Sequence, residues 1–311
     1  MDFKQVNSTS FNSQRNNGWL PVVNQPGRAV GVLFGVFFGM LILVSVVSAL
    51  FVGDDGFSVK GMRIFTIIQD LLVFIMPAIL AAFVATRLPA SLLTINVKPR
   101  LSSILLAILV MITSMPAMEW LVELNSNLHL PEALSGLEET LKRMEDSASS
   151  AVDGLFSGNT VGDLIVGILI VGILTGIAEE LFFRGALQNL FMSMPNVKKH
   201  FAIWAVAFIF SFMHFQFFGF LPRLLLGAYF GYLIWWSGSV WVPIIAHAFN
   251  NSMVVVVSWF AVKGNAGEAV ENAASLNLGM DWLTITLSVV VTALGLIVLR
   301  RNALRYRSTS L

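Results

Sequence analysis

The stretch VGDLIVGILIVGILTGIAEELFFRGALQNL, residues 161–190, decides how the chain is read. Residues 164–178 hold no charge, and then Glu179, Glu180 and Arg184 follow in quick succession. A helix needs about 20 predominantly apolar residues to cross the hydrocarbon of a bilayer, and this block has the length. It also carries ionisable groups at a depth where each costs roughly 2.5–3.5 kcal/mol on insertion scales, so that by default they mark function.

The rest of the chain fits the same reading. Of 311 residues, 56% are hydrophobic and 12% charged, and a soluble domain carries about twice that charged fraction. Comparable apolar blocks lie at roughly 29–52, 64–86, 101–123, 201–219, 221–237, 239–260 and 281–300. The expectation is an all-α, polytopic transmembrane helical bundle of about eight spans. Pro77 and Pro116 fall inside the second and third and are expected to kink them, which membrane helices tolerate because neighbours re-satisfy the freed carbonyls.

Four regions follow from this division. Residues 1–28 are polar and rich in Asn, Ser and Gln, as in a disordered cytoplasmic tail. Residues 29–160 hold the N-terminal transmembrane helices and an external acidic loop (about 124–160), whose Pro131–Met144 stretch has the spacing of an amphipathic interfacial helix and reads equally well as a solvated loop. Residues 161–260 form the core with the polar motifs, and 261–311 the last loop, the final span and a basic cytoplasmic tail. Val47-Ser48-Ala49 faintly resembles a cleavage site, but its apolar block is too long for a signal peptide and reads as a retained span.

Twelve Lys and Arg fall on one side of this scheme, among them Lys98, Arg100, Lys198, Lys199, Arg300 and Arg301, against six on the other. The positive-inside rule then places both termini in the cytoplasm. The short loops point to a bacterial inner (plasma) membrane. A net charge of +1 and the lack of a basic stripe interleaved with aromatics exclude a nucleic-acid partner. The absence of cysteine excludes disulfides, thiolate metal sites and a cysteine nucleophile.

Three spans carry the polar exceptions. Glu180 and Arg184 stand four apart in the favourable order for a helical ion pair, while Glu179 points about 100° away and must find another contact. His214 lies in Phe210-Ser211-Phe212-Met213-His214. His247 and Asn251 are one turn apart on one helix face. At about 1.5 Å per residue from the cytoplasmic ends, Glu179, His214 and His247 lie roughly 16, 20 and 12 Å deep, so the groups can meet. Either histidine alone would more often be structural; their convergence at one depth on three helices points to a site. Asp70, the one clear aspartate within a span, reads as a structural or gating group.

The set suits hydrolysis. Glu179 can act as general base toward water, and Asn251 can donate its amide to a developing oxyanion. His214 and His247 can act through hydrogen bonds or, with Glu179, bind zinc or another divalent metal, which would bring the pKa of bound water to about 7. A metal-free mechanism stands beside the metal one. No H-E-x-x-H helix, G-x-S-x-G elbow or pair of intramembrane aspartates is present. Ser211 and Ser252 lie nearby without a nucleophile context.

Glu179-Glu180-x-x-x-Arg184, Phe210-x-x-x-His214 and His247-x-x-x-Asn251, taken together and in this order, resemble the three motifs of the CAAX-processing and bacteriocin-processing (CPBP) intramembrane proteases, also called type II CAAX endopeptidases or the Abi family. The likeness covers about 170–255. It implies a helical-bundle fold and an intramembrane metalloprotease-like peptidase that hydrolyses peptide bonds of membrane-associated proteins or peptides, by CAAX-type or bacteriocin and peptide processing. It also implies Glu179 as the water-activating residue assisted by His214, with His247 and Asn251 polarising the carbonyl oxygen and Glu180 and Arg184 in support. The partners implied are membrane lipid and a membrane-associated substrate. The alternative is a non-catalytic scaffold or bacteriocin-immunity protein of the same fold; a proton-coupled transporter is disfavoured by the lack of internal repeats.

Overall fold

The computed structural model describes residues 15–16, 20–50, 58–156, 158, 160–262 and 282–309. Among them the long helices are α1 (Pro26–Ala49), α2 (Val59–Ala85), α3 (Leu101–Ser126), α4 (Ser135–Phe156), α5 (Val161–Ser193), α6 (Lys199–Phe212), α7 (Phe220–Ser237), α8 (Trp241–Val262) and α9 (Trp282–Thr309). Among the described residues, strand structure is confined to a two-residue antiparallel pairing of Arg15–Asn16 with Leu20–Pro21. The chain is an all-α polytopic bundle and an integral membrane protein. Ile42, Phe83 and Leu105 are 64, 65 and 57% exposed, as expected where the solvent is hydrocarbon.

α5 is the central helix and packs against α2, α6, α7 and α8. Its start is fixed by a capping box, with Asp163 N–H donating to Thr160 Oγ1 at 3.1 Å, and by an ion pair from Arg63 of α2 to Asp163 Oδ1 at 2.9 Å. The core beneath α1 and α2 is aromatic: Phe182 of α5 meets Phe34, Phe37, Phe74 and Phe183 at ring separations of 4.9–6.2 Å.

Seven helices, not eight, are long and apolar enough to cross a membrane among the described residues. The block expected at 201–219 is the 14-residue α6, which ends at Phe212. Phe215 then takes a left-handed backbone (φ 52°) and a 3-10 turn at Phe217–Gly219 leads into α7. The apolar run misleads because the turn itself is built of phenylalanines.

Two further expectations shift. Residues 1–14 and 17–19 of the expected disordered tail lie outside the described residues, but Leu20 is buried, Asn24 N–H donates to Ala85 O at 3.0 Å, and α1 begins at Pro26. In the acidic loop, α3 extends to Ser126 and the amphipathic helix begins at Ser135 and runs on to Phe156. The last loop, 263–281, lies outside the described residues.

Pro116 sits inside α3, where Ser288 Oγ of α9 accepts from the following N–H, Ala117, at 3.3 Å. Pro77 follows a π-helical stretch, Asp70–Ile75. Two more such stretches, Ile168–Leu174 and Leu181–Gln188, bracket Glu179 and Glu180. One-turn π insertions recur at functional sites because they re-aim the side chains around them.

Candidate active site

Close backbone approach brings the polar residues of α5 and α8 together. A Cβ added at Gly176 would stand 3.1 Å from the backbone N of Ala248, and one at Gly172 would fall on Ser252 Oγ. Gly172 and Gly176 are four apart on one face, the small-residue spacing that lets membrane helices touch. Glu179 of α5 and His247 of α8 flank this contact.

Glu179 Oε2 lies 3.7 Å from His247 Nε2, with side chains 14% and 5% exposed. On the other edge of the imidazole, His247 Nδ1 is 2.8 Å from Glu180 Oε1. A carboxylate oxygen only accepts, so Nδ1 donates to Glu180 and the Nε2 edge of the ring faces Glu179. Phe230 of α7 stacks on the ring at 4.8 Å.

Glu180 also takes Arg184 Nη1 on the same oxygen, at 2.6 Å. Arg184 is wholly buried. Its Nη2 donates to Gly227 O of α7 at 3.0 Å, and its guanidinium lies 4.5 Å from the Phe210 ring centroid and 5.4 Å from that of Phe230. Hydrogen bonds and ring faces replace the water this cation gave up. One turn on, Gln188 Nε2 donates to Gly231 O at 3.0 Å. α5 and α7 are thus pinned together behind the site.

His214 stands in the turn after α6. Its Nδ1 donates to Phe210 O at 2.8 Å, leaving Nε2 free, and its ring meets Phe210 edge-on at 4.9 Å. Phe210 also touches the His247 ring at 6.0 Å, and His214 lies within electrostatic reach of Glu179 and His247. The turn is held from outside: Asn125 Nδ2 of α3 donates to Phe217 O, Asn125 Oδ1 accepts from Leu221 N–H, and Glu145 of α4 accepts from Phe218 N–H. The amphipathic helix of the acidic loop therefore braces the segment that presents His214.

Asn251 is one turn beyond His247. Its Nδ2 donates to Val171 O in the π-helical part of α5 at 3.3 Å, which leaves one amide hydrogen, and its Oδ1 accepts from Asn250 at 3.4 Å. The direct contacts therefore gather Glu179, Glu180, Arg184 and His247, while His214 and Asn251 stand at the margin.

Three contacts go beyond what the sequence spacing shows. Glu180 was paired with Arg184 alone, yet it also fixes His247. Asp70 is buried and accepts from Thr175 Oγ1 at 2.8 Å, one turn before Glu179. The Gly172-x-x-x-Gly176 spacing was the available signal for where α8 would dock. Ser211 donates to Phe220 O at 2.7 Å and has a structural part.

For a metal, the donor types are chemically suitable, since imidazole nitrogens and a carboxylate are zinc-type ligands. Their placement does not fit: among the described residues no group of three or more His, Asp or Glu side chains is arranged to hold an ion.

Fold and site together define a membrane-embedded helical bundle with a buried acid–imidazole pair. Residues 161–253 match the model of the family described as type II CAAX prenyl endopeptidase Rce1-like. The match spans the positions of Glu179, His214, His247 and Asn251. No curated protein and no solved structure matches the chain.

Proposed function

We propose that the protein is an intramembrane endopeptidase that cleaves membrane-associated proteins or peptides with a water activated by Glu179. The contact of Glu179 Oε2 with His247 Nε2 carries this reading, because it places a base beside an oriented imidazole within a domain of a protease family.

Glu179 removes a proton from water and the hydroxide attacks the peptide carbonyl carbon. The remaining amide hydrogen of Asn251 donates to the oxyanion. His247 Nε2 receives the water proton from Glu179, 3.7 Å away, donates it as a hydrogen bond to the same oxygen and hands it back to Glu179, with the Glu180 carboxylate behind it in the manner of a buried acid that orients a catalytic imidazole. His214 Nε2 receives the second hydrogen of the attacking water. Glu179 then returns its proton to the leaving amine. No step is routed through a metal; stoichiometric zinc in the purified protein, with activity lost on chelation and restored by zinc, would replace this scheme with a metal-centred one.

The domain plan favours a bacterial inner membrane with both termini cytoplasmic, and substrates of CAAX type or secreted-peptide type. The test is comparative proteomics of membranes from wild-type and Glu179→Ala cells. The reading expects full-length forms of one or more membrane-associated proteins to accumulate in the variant; identical termini throughout would refute it.

A further inference from the structure

The turn between α6 and α7 presents His214, and side chains from four helices pin its backbone. Gln216 O accepts from Arg223 Nη2 of α7 at 2.7 Å, Phe218 N–H donates to Glu145 Oε2 of α4 at 2.9 Å, and Phe220 O accepts from Ser211 Oγ of α6 at 2.7 Å. Phe217 O and Leu221 N–H both go to Asn125 of α3, at 3.1 and 2.7 Å.

Asn125 differs from the other three. It is 1% exposed, and both ends of its amide are used on this one turn. Its Oδ1 stands in for an N-cap of α7, because Gly219, the residue before that helix, has no side chain to cap it. Its Nδ2 holds Phe217 O, three residues beyond His214. Three residues before His214, Ser211 is tied to Phe220 O. The histidine therefore rides on a short span anchored at both ends.

A separate observation shows that the conformation of this span is imposed. Phe215, next to His214, has φ 52°, a left-handed backbone that bulky residues rarely adopt. Residues held this way persist only where their surroundings over-determine them, and they gather at active sites. Phe215 is 57% exposed, so burial of its ring does not offset the strain. The anchors on either side do. Released from Phe217 O, the span can relax toward ordinary turn geometry and carry His214 with it. The bond from His214 Nδ1 to Phe210 O, at 2.8 Å, orients the ring only while the backbone of the turn stays in place.

We propose that Asn125 is a positioning residue for His214, fixing the turn so that Nε2 of the histidine meets the attacking water. The proposal rests on the catalytic reading of His214 given above. It puts one requirement of the site on α3, which ends at Ser126, outside the residues 161–253 that match the family model.

The experiment labels the four histidines of the full chain with nitrogen-15 in their rings, assigns them by substitution, and measures NMR and turnover on the same preparations. The substrate is one found by the proteomic comparison. Asn125→Asp keeps an acceptor for Leu221 N–H and loses the donor to Phe217 O; Asn125→Ser takes its place if that variant does not fold. The ring nitrogens of His214 are expected to shift while those of His247, held by Glu180 from another helix, stay. At unchanged KM, kcat is expected to fall about 10- to 100-fold, since a displacement of about 1 Å costs up to about that factor.

An unmoved His214, a His247 that shifts as much as His214, or a KM that rises with the fall in kcat each overturns the proposal. So does an unchanged kcat beside a moved His214. Failure of the catalytic reading is distinguished by wild-type turnover in Glu179→Gln and His214→Ala with Asn125 intact.

Discussion

Glu180 Oε1 lies 2.8 Å from His247 Nδ1 and holds the imidazole with its other nitrogen toward Glu179. The same oxygen accepts from Arg184 at 2.6 Å. One buried carboxylate thus neutralises a buried cation and sets the tautomer of the site histidine. Second carboxylates of this kind typically change activity 10–100-fold when altered. Glu180→Gln keeps an acceptor for His247 while dropping the charge, and is expected to lower turnover by about that factor. Arg184→Met should cost roughly 3–5 kcal/mol, because it leaves the buried Glu180 carboxylate without its cation. Thermal unfolding in detergent, read beside turnover, separates the two effects.

The two glycines of α5 make a contrasting pair. A methyl at Gly176 presses on the backbone of Ala248, which cannot move aside, whereas a methyl at Gly172 presses on the hydroxyl of Ser252, which can rotate. Gly176→Ala should therefore destabilise by about 1–3 kcal/mol, as overpacking does, and separate Glu179 from His247. Gly172→Ala should be mild. Equal effects of the two on melting temperature would show that the helix contact does not set the site.

Asp70 and Thr175 test whether α2 positions the base. Thr175→Val removes the donor to a buried carboxyl group, and loss of a buried hydrogen-bond partner costs roughly 1–3 kcal/mol. Asp70→Asn preserves an acceptor for Thr175. If the link positions Glu179, Thr175→Val lowers kcat more than Asp70→Asn at similar KM; if it only packs α2 on α5, both change stability and leave kcat alone.

Much of this was legible in the sequence. The apolar blocks were enough for a polytopic bundle, and the ionisable residues set among them single out Glu179, His214, His247 and Asn251, of which Glu179 and His247 come into direct contact. What hydropathy could not resolve was whether an apolar run is helix or turn. Phe212–Phe220 reads as span, yet it is a turn held by Asn125 and Glu145. Both of those residues are distant in sequence, so no local pattern announces them. Glu180 was underestimated for a related reason: the i,i+4 rule finds Arg184, while the contact with His247 exists only once Gly176 lets α8 approach.

The helix that braces that turn is expected to loosen at low pH through Glu138. Glu138 of α4 accepts from Lys142 at 2.8 Å, meets His129 at 3.0 Å and accepts from Leu130 N–H at 2.8 Å. These partners, Lys142 foremost, hold its carboxyl well below the usual range, at about 2. A depressed folded-state pKa means stability that is fully present above the unfolded value of 4.5 and is lost as pH falls through about 2. Hydrogen exchange across 128–156 should therefore quicken as pH is lowered from 5 toward 2 beyond the intrinsic trend, and Glu138→Gln should remove that dependence.

The central claim is that Glu179 activates the water that cuts the peptide bond. Its most direct measurement is turnover of a substrate found by the proteomic comparison, by purified wild type and Glu179→Gln at matched thermal stability. The account predicts a loss of at least about 10²-fold in kcat, the lower range for a general base, with substrate still bound. Turnover by Glu179→Gln within a few-fold of wild type would contradict it.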